Sequence, residues 1–302
     1  KELRKQNSLS EMNWSGIGGA RHDTSIAALI DGEFKYRKSE RAFGIKHHKA
    51  NDDWFKSVLD EWGIDEKDSK IVYTDSGRKR FGKRVRKPYN DEDYIEEGDR
   101  ICIDHHTAHI YSTLSDCSQH AAFDGWGSGR NTGLTITSDG QKRYKDLSIG
   151  KFLSYVGYAM DFKGMEVDFP GKVMGLQAYG TPDLDLARQI NQDNILDLCG
   201  EWMLRGVDSK DPKFQDFVAT VHKACELIQL EYFKVFDSSK KISCSGGVML
   251  NTVINTELRK TYDIEIIPHV YDGGLSVGAL RYAVGHNFCL LYTSPSPRDN
   301  RV

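Results

Sequence analysis

The sequence predicts an α/β protein of two similar lobes facing a ligand cleft, and three observations carry that expectation. Strand-like apolar runs alternate with helical patterns, most plainly after residue 240. Glycine-bearing turns recur at four strand ends: Gly18-Gly19, Asp124 to Gly129, Ser245-Gly246-Gly247 and Asp272-Gly273-Gly274. Two histidines four residues apart, His105 and His109, open a helix directly after the apolar run Ile101-Cys102-Ile103.

Taken in order, a strand is expected near Asn13 to Gly18, followed by a polar turn through His22, Asp23, Thr24 and Ser25. Residues 26–30 form a second strand, and Asp31-Gly32 reads as a hairpin turn that returns the chain antiparallel through Glu33 to Lys38. Trp54, Phe55, Val58, Leu59 and Trp62 have helical spacing within Asp52 to Trp62, and Ile71 to Thr74 reads as a strand. Beyond the histidine helix come strands at Ala121 to Phe123 and Gly133 to Thr137, with Ser138-Asp139-Gly140 as a turn. Asp183 to Phe236 is mostly helical and ends in a long segment from Val218. Strand, helix, strand, helix then follow at Lys241 to Ser245, Val248 to Thr261, Ile264 to Ile267 and Leu275 to His286.

Composition excludes several classes. The 302 residues carry 41 basic and 44 acidic side chains, so no global field collects nucleic acid or an anionic membrane. The basic run Arg78 to Lys87 is a local exception, read as a solvated loop or an anion site. No apolar run approaches the roughly 20 residues of a membrane span, and the six cysteines show no paired spacing. A cytoplasmic protein with reduced thiols is expected. Lys1 to Glu11 is patternless and reads as upstream read-through before Met12. The tail 288–302 resembles the translation of a sequencing-library adapter, so the natural chain is expected to continue past about Asn287.

Chemistry concentrates at the turns. On a helix, His105 and His109 share one face about a turn apart, as ligands of one metal ion do; His106 faces another way. Asp124, 15 residues after His109, ends a strand before Gly125 and Gly127, glycines that let backbone N–H groups approach an anion. There is no GxGxxG and no GxxxxGK[ST], which argues against a dinucleotide site and a P-loop. Each residue also has an ordinary reading: a satisfied turn for His22, loop charge for Lys46, a helix cap for Gly171-Lys172.

Seven segments then occur in a telling order: His22 to Ser25; Glu40-Arg41 with Ile45-Lys46-His47; His105-His106-x-x-His109; Asp124-Gly125-x-Gly127; Gly171 to Gly180; Gly246-Gly247-Val248-Met249-Leu250-Asn251 with Asn255; and Pro268 with Asp272-Gly273-Gly274. Over roughly Asn13 to His286 the chain resembles the N-terminal domain of the O-carbamoyltransferases of nodulation-factor and antibiotic biosynthesis. That domain is similar to the tRNA threonylcarbamoyl transferases. The resemblance implies an actin-like, sugar-kinase-like ATPase fold with a duplicated mixed β-sheet and flanking helices, in lobes of approximately 12–120 and 121–287. The chain departs from the pattern at Ser39-Glu40-Arg41, where paired glutamates are usual, and at Gln177-Ala178.

The resemblance further implies two stages. A C-terminal domain, missing here, makes carbamoyl-adenylate from carbamoyl phosphate and ATP, and the present domain transfers the carbamoyl group to a hydroxyl of a small acceptor. His105, His109, Asp124 and Asp272 are then the ligands of a divalent ion, for which N and O donors suit Fe(II), Mn(II) or Zn(II). His22 and Lys46 are the catalytic candidates. Asp23, Thr24, Ser25, Gly125, Gly127, Lys172, Gly246, Gly247, Asn251 and Asn255 are the nucleotide-binding candidates. The alternatives are a nucleotide-binding regulatory module of the same superfamily and a tRNA threonylcarbamoyl transferase.

Overall fold

The computed structural model describes residues 14–285 apart from 20–21, 66–68, 75–78, 85, 90, 99, 114–115 and 146. The leader, Met12, Asn13, Ala20-Arg21, Arg78, Val85, His286 and the 288–302 tail lie outside the described residues.

The first sheet is built from β1 (Trp14–Gly18), β2 (Ser25–Ile30), β3 (Glu33–Lys38), β4 (Lys70–Thr74), β7 (Tyr94–Glu97) and β8 (Arg100–Ile103), in the order β3-β2-β1-β4-β8-β7. Its opening hairpin turns at Asp31 and Gly32, with φ of 49° and 81°, the doubly left-handed geometry that matches strand twist. The pairs β3/β2 and β2/β1 are antiparallel, while β1/β4 and β4/β8 are parallel. The second sheet repeats the scheme with β9 (Gln119–Phe123), β10 (Gly133–Thr137), β11 (Gly140–Tyr144), β12 (Ile242–Ser245) and β13 (Ile264–Ile266), ordered β11-β10-β9-β12-β13. Again two antiparallel pairings precede two parallel ones. The duplication expected from the turns is therefore a duplication of topology.

Helices cover both sheets. In the first lobe α1 (Ser39–Phe43) follows β3, and α2 (Asp52–Glu61), capped by Asn51 at the Trp54 amide, buries Phe55, Val58 and Leu59 against Ile17, Ile26 and Tyr73. Each such side chain contributes about 1.5–3 kcal/mol on burial. The basic run forms a short hairpin, β5 (Lys79–Arg80) and β6 (Lys83–Arg84), and beyond it Arg86 pairs with Glu92. In the second lobe α4 (Ile149–Ala159), α5 (Phe169–Leu176), α6 (Leu184–Gln189), α7 (Ile195–Arg205) and α8 (Pro212–Phe233) enclose one core.

Three boundaries differ from expectation. The long helix starts at Pro212 because Asp211 caps it through the Lys213 amide. The helix expected from Val248 is a 3-10 turn over Gly247–Leu250, then α9 (Thr252–Leu258), because Asn251 caps at Ile254. The last helix, α10 (Leu275–Val284), packs Leu275 and Ala279 with Val72 and Ile101 of the first sheet, so residues 275–284 lie with the first lobe. Between the lobes runs α3 (His105–Ser112).

Candidate metal centre

The centre begins where β8 ends. Asp104 is extended, and its carboxylate accepts from the Thr107 amide at 2.9 Å, so α3 starts with His105 as its first residue. His105 and His109 then share a face, with ring centroids 4.9 Å apart, and both are buried. Asp124 leaves the end of β9, and Asp272 opens the 3-10 turn Asp272–Gly274 that leads into α10. The helix after β8, the end of β9 and the turn ahead of α10 thus deliver the four side chains.

His105 Nε2 lies 3.0 Å and His109 Nε2 3.2 Å from Asp124 Oδ2, and the same nitrogens lie 3.6 and 3.5 Å from Asp272 Oδ1. Ligand atoms around one ion at bonds of ~2.1 Å in tetrahedral array sit about 3.4 Å apart, so this set fits a divalent ion. His109 Nδ1 is 3.1 Å from Ser245 Oγ; donating there fixes the tautomer that leaves Nε2 for a metal. Burial alone would raise the Asp124 carboxyl, but the imidazoles of His105 and His109 hold it well below the usual range. Burial alone would lower His109, yet hydrogen bonds to Asp124 and Asp272 raise it. The charge pattern is that of a cation site.

His22 stands beside this set, with Nε2 3.7 Å from Asp272 Oδ2 and Nδ1 2.8 Å from Asp23 Oδ2. Nδ1–H donates to the carboxylate, which in the neutral ring leaves Nε2 as an acceptor; burial would lower the imidazole, but Asp23 and Asp272 raise it. Asp23 Oδ2 also accepts from His47 Nδ1 at 2.8 Å, while Lys38 Nζ lies 3.0 Å from Oδ1. That buried carboxyl, which desolvation alone would raise, is held well below the usual carboxylate range by His22, Lys38 and His47, so the trio His22, Asp23, His47 has little call for a second ion. Lys38 is itself buried, 3.0 Å from Glu40 and from the Tyr271 hydroxyl. A cavity of about 610 Å³ lined by Tyr36, Arg37, Lys38, Arg41, His269 and Tyr271 adjoins it.

The other candidates have these surroundings. Asp23, a nucleotide-binding candidate, contacts two imidazoles and an ammonium. The Thr24 hydroxyl donates to the Gly19 carbonyl, and that of Ser25 to Gly273 and Ser276, both buried. Lys46 is mostly exposed and ion-paired with Asp168. Lys172 donates to the Lys163 carbonyl at 3.2 Å and lies over the Phe162 ring. Asn251 caps α9 and meets His222 at 3.0 Å. Asn255 donates to Met249, but its buried Oδ1 has no hydrogen-bond partner.

The glycines divide in the same way. A Cβ on Gly246, at φ +93°, would lie 2.1 Å from the Phe123 carbonyl oxygen, so strand packing demands glycine there. A Cβ on Gly127 would strike the His106 ring at 2.6 Å. His106 is buried with neither ring nitrogen hydrogen-bonded, and burial, then His105, lower it well below an ordinary imidazole. Gly247 faces Asp124 at 3.0 Å, and Gly125 faces open space. Sequence reasoning missed Lys38, Tyr271 and Asp168 and gave His47 no role; a lysine at the end of a strand two residues before Glu40 was the faint signal for the first.

No family model matches the chain. It is 24% identical over 287 residues to an uncharacterised protein of Methanocaldococcus jannaschii, covering 86% of this chain and 53% of that protein. The chain thus spans about half the length of that curated relative. Among solved structures it is similar to component A of (R)-2-hydroxyglutaryl-CoA dehydratase from Acidaminococcus fermentans, at 12% identity and TM-score 0.53, over 90% of this chain and 97% of that one. The activator of 2-hydroxyisocaproyl-CoA dehydratase from Clostridium difficile, with bound ADPNP, gives 12% and 0.54 over 90% and 94%. Full-length HypF in its phosphate- and nucleotide-bound form gives 12% and 0.51 over 91% and 55%. With two mixed sheets, flanking helices and these neighbours, the chain has the two-lobed actin-like, sugar-kinase-like fold.

Proposed function

We propose that this chain is the carbamoyl-transferring part of a metal-dependent O-carbamoyltransferase, acting on carbamoyl-adenylate and a hydroxyl of a small acceptor. The observation that carries the reading is the set His105, His109, Asp124 and Asp272, with the free Nε2 of His22 beside it. A nucleotide switch of this fold has no need of two buried histidines. Nucleotide in the cleft is supported by the ADPNP- and nucleotide-bound states of two structural neighbours.

A bound Fe(II), Mn(II) or Zn(II) would supply Lewis-acid polarisation of the carbamoyl oxygen or the phosphate. The protein's own part begins with His22, oriented by Asp23, whose Nε2 accepts the proton of the acceptor hydroxyl. The acceptor oxygen forms a bond to the carbamoyl carbon as the carbon–oxygen bond to the adenylate phosphate breaks, and AMP leaves with the electron pair. The half-buried Asp124 and Asp272 keep the cleft anionic toward a cation, and Gly247 leaves room beside Asp124. Lys46, now paired with Asp168, and Lys172 are the exposed cations that would meet the phosphate, while Asn255, through its unpaired Oδ1, can accept from an adenosine group.

The test is metal content of the purified chain beside a His105→Ala, His109→Ala variant, with carbamoyl transfer measured on supplied carbamoyl-adenylate. Near-stoichiometric metal and transfer in the parent, both lost in a folded variant, are expected. A folded parent that takes up no metal on anaerobic reloading sinks the reading and favours the nucleotide switch.

A further inference from the structure

We infer that Asp168 and His47 are positioning residues through which the second lobe orients His22, so that the proton acceptor is set only when the lobes meet. The inference rests on the transferase reading for the role of His22, but its geometry stands apart from the metal.

Asp168 belongs to the second lobe, at the start of α5, whereas Lys46 and His47 lie in the first lobe between α1 and α2. Across the cleft Asp168 Oδ1 meets Lys46 Nζ and lies 3.1 Å from His47 Nε2. The other nitrogen of His47 lies 2.8 Å from Asp23 Oδ2, and the same oxygen takes Nδ1 of His22 at 2.8 Å. A continuous line therefore runs Asp168, His47, Asp23, His22, with the free Nε2 of His22 at its end. The line joins residues 121 positions apart.

The backbone supports this line under strain. Asp23 and His47 are both non-glycine residues in the left-handed region, at φ 51° and 56°. Such conformations persist only where surroundings over-determine them, and they cluster at functional sites. Here the Thr24 amide donates to the His48 carbonyl at 3.2 Å, and Ser39 Oγ donates to the same oxygen at 3.0 Å, tying the two strained turns together. An ordinary loop histidine would need none of this. The ring of His47 is mostly buried, whereas Lys46 is largely exposed, so the two arms of the clasp differ in kind. The lysine arm is a solvated attraction, and the histidine arm is the ordered one. Two-lobed kinase-like folds close on their ligands by hinge motion, and such closure commonly completes the catalytic set. The Asp168 contact is where this chain would register closure.

The experiment uses the full chain, loaded with Zn(II) and labelled with ¹⁵N-histidine, as parent, Asp168→Asn, His47→Gln and Lys46→Ala. Tautomers of His22 are read by NMR, and the separation of the lobes by spin labels at Asp60→Cys and Leu204→Cys. In the parent His22 should be one tautomer, protonated at Nδ1, with a narrow label distance. Asp168→Asn and His47→Gln should mix the tautomers, and Asp168→Asn should broaden the distance, while Lys46→Ala leaves the tautomer unchanged. Where transfer is assayed on supplied carbamoyl-adenylate, both variants should lose about 10- to 100-fold in kcat, the scale of a misplaced catalytic group, with KM little altered. A single, unchanged His22 tautomer in folded Asp168→Asn and His47→Gln overturns the inference. Failure of the parent to hold Zn(II) would count against the transferase reading alone, because the His47 line is read without it.

Discussion

At the scale of single residues, His109 sets how the centre responds to pH. Its imidazole is held above the ordinary value because the carboxylates of Asp124 and Asp272 outweigh its burial. Without metal, this gives stability that is fully present below about pH 6.5, the unfolded value, and is lost as pH rises through the higher folded value. Asp124 has the opposite sign: with its carboxyl depressed by the two imidazoles, it contributes above the unfolded carboxylate range and loses that contribution as pH falls through its folded value. A metal ion changes the first term, since it takes only the neutral Nε2 and must displace the proton. The rise in Tm on adding Zn(II) should therefore be larger at pH 8 than at pH 6, and proton release on binding should be greatest below the His109 value. Calorimetry in two buffers of different ionisation enthalpy measures that release. A metal-induced Tm shift equal at both pH values would show that His109 is no ligand.

At the scale of elements, the centre depends on how closely α10 approaches its neighbours. A Cβ on Gly278 would lie 1.8 Å from the Ala108 carbonyl oxygen on α3, and one on Gly16 of β1 would lie 2.2 Å from that of Ser276. Glycine at these positions lets α10 seat between β1 and α3, and that seating brings Asp272, just ahead of α10, to the α3 histidines. Gly278→Ala should cost about 3 kcal/mol, at the upper end of overpacking effects, and weaken metal binding by the folded fraction. Gly200→Ala on α7, where a Cβ meets nothing within 4 Å, should instead stabilise by about 0.5–1 kcal/mol. Urea unfolding of both variants tests the contrast; equal and small effects would show that α10 tolerates displacement. The same elements explain what could be read in advance. The Asp31-Gly32 turn and the helix after Ile103 carry local signals, a left-handed dipeptide and a cap followed by paired histidines. β7 has none: Tyr94–Glu97 is an edge strand with mostly exposed side chains, so its sequence lacks apolar alternation. α4 was legible but unassigned, since Ile149, Phe152, Leu153 and Val156 recur at the spacing of one helical face, as the apolar residues of α2 do. Lys38, His47 and Asp168 acquire their partners only from tertiary packing, and no local pattern announces a residue whose partner lies 121 positions away.

At the scale of the molecule, two of the polar ties between the lobes bear on the centre. One is the contact of Asp168 with Lys46 and His47. The other is Arg143 of β11, in the second sheet, whose guanidinium donates to Asp104 at the start of α3 at 2.8 Å and also binds Asp93 ahead of β7. Arg143 is nearly buried, and Asp104 wholly so; burial opposes the charge on Arg143, but Asp104 and Asp93 raise its pKa. Asp104 has two duties, capping α3 and receiving this arginine, so the tie fixes the helix that carries His105 and His109. Removing only the cation leaves a buried carboxylate without its partner, a loss on the order of 3–5 kcal/mol. Removing both charges should cost less, because asparagine at 104 can still cap through its side-chain oxygen. Arg143→Met should therefore destabilise strongly, and adding Asp104→Asn should recover at least about 1 kcal/mol, with zinc affinity following the same order. Equal stability of Arg143→Met and the parent, or simple addition of the two single effects, would mean that the Arg143–Asp104 tie adds nothing to the hold on α3, which then rests on its apolar packing and on the His109–Ser245 contact.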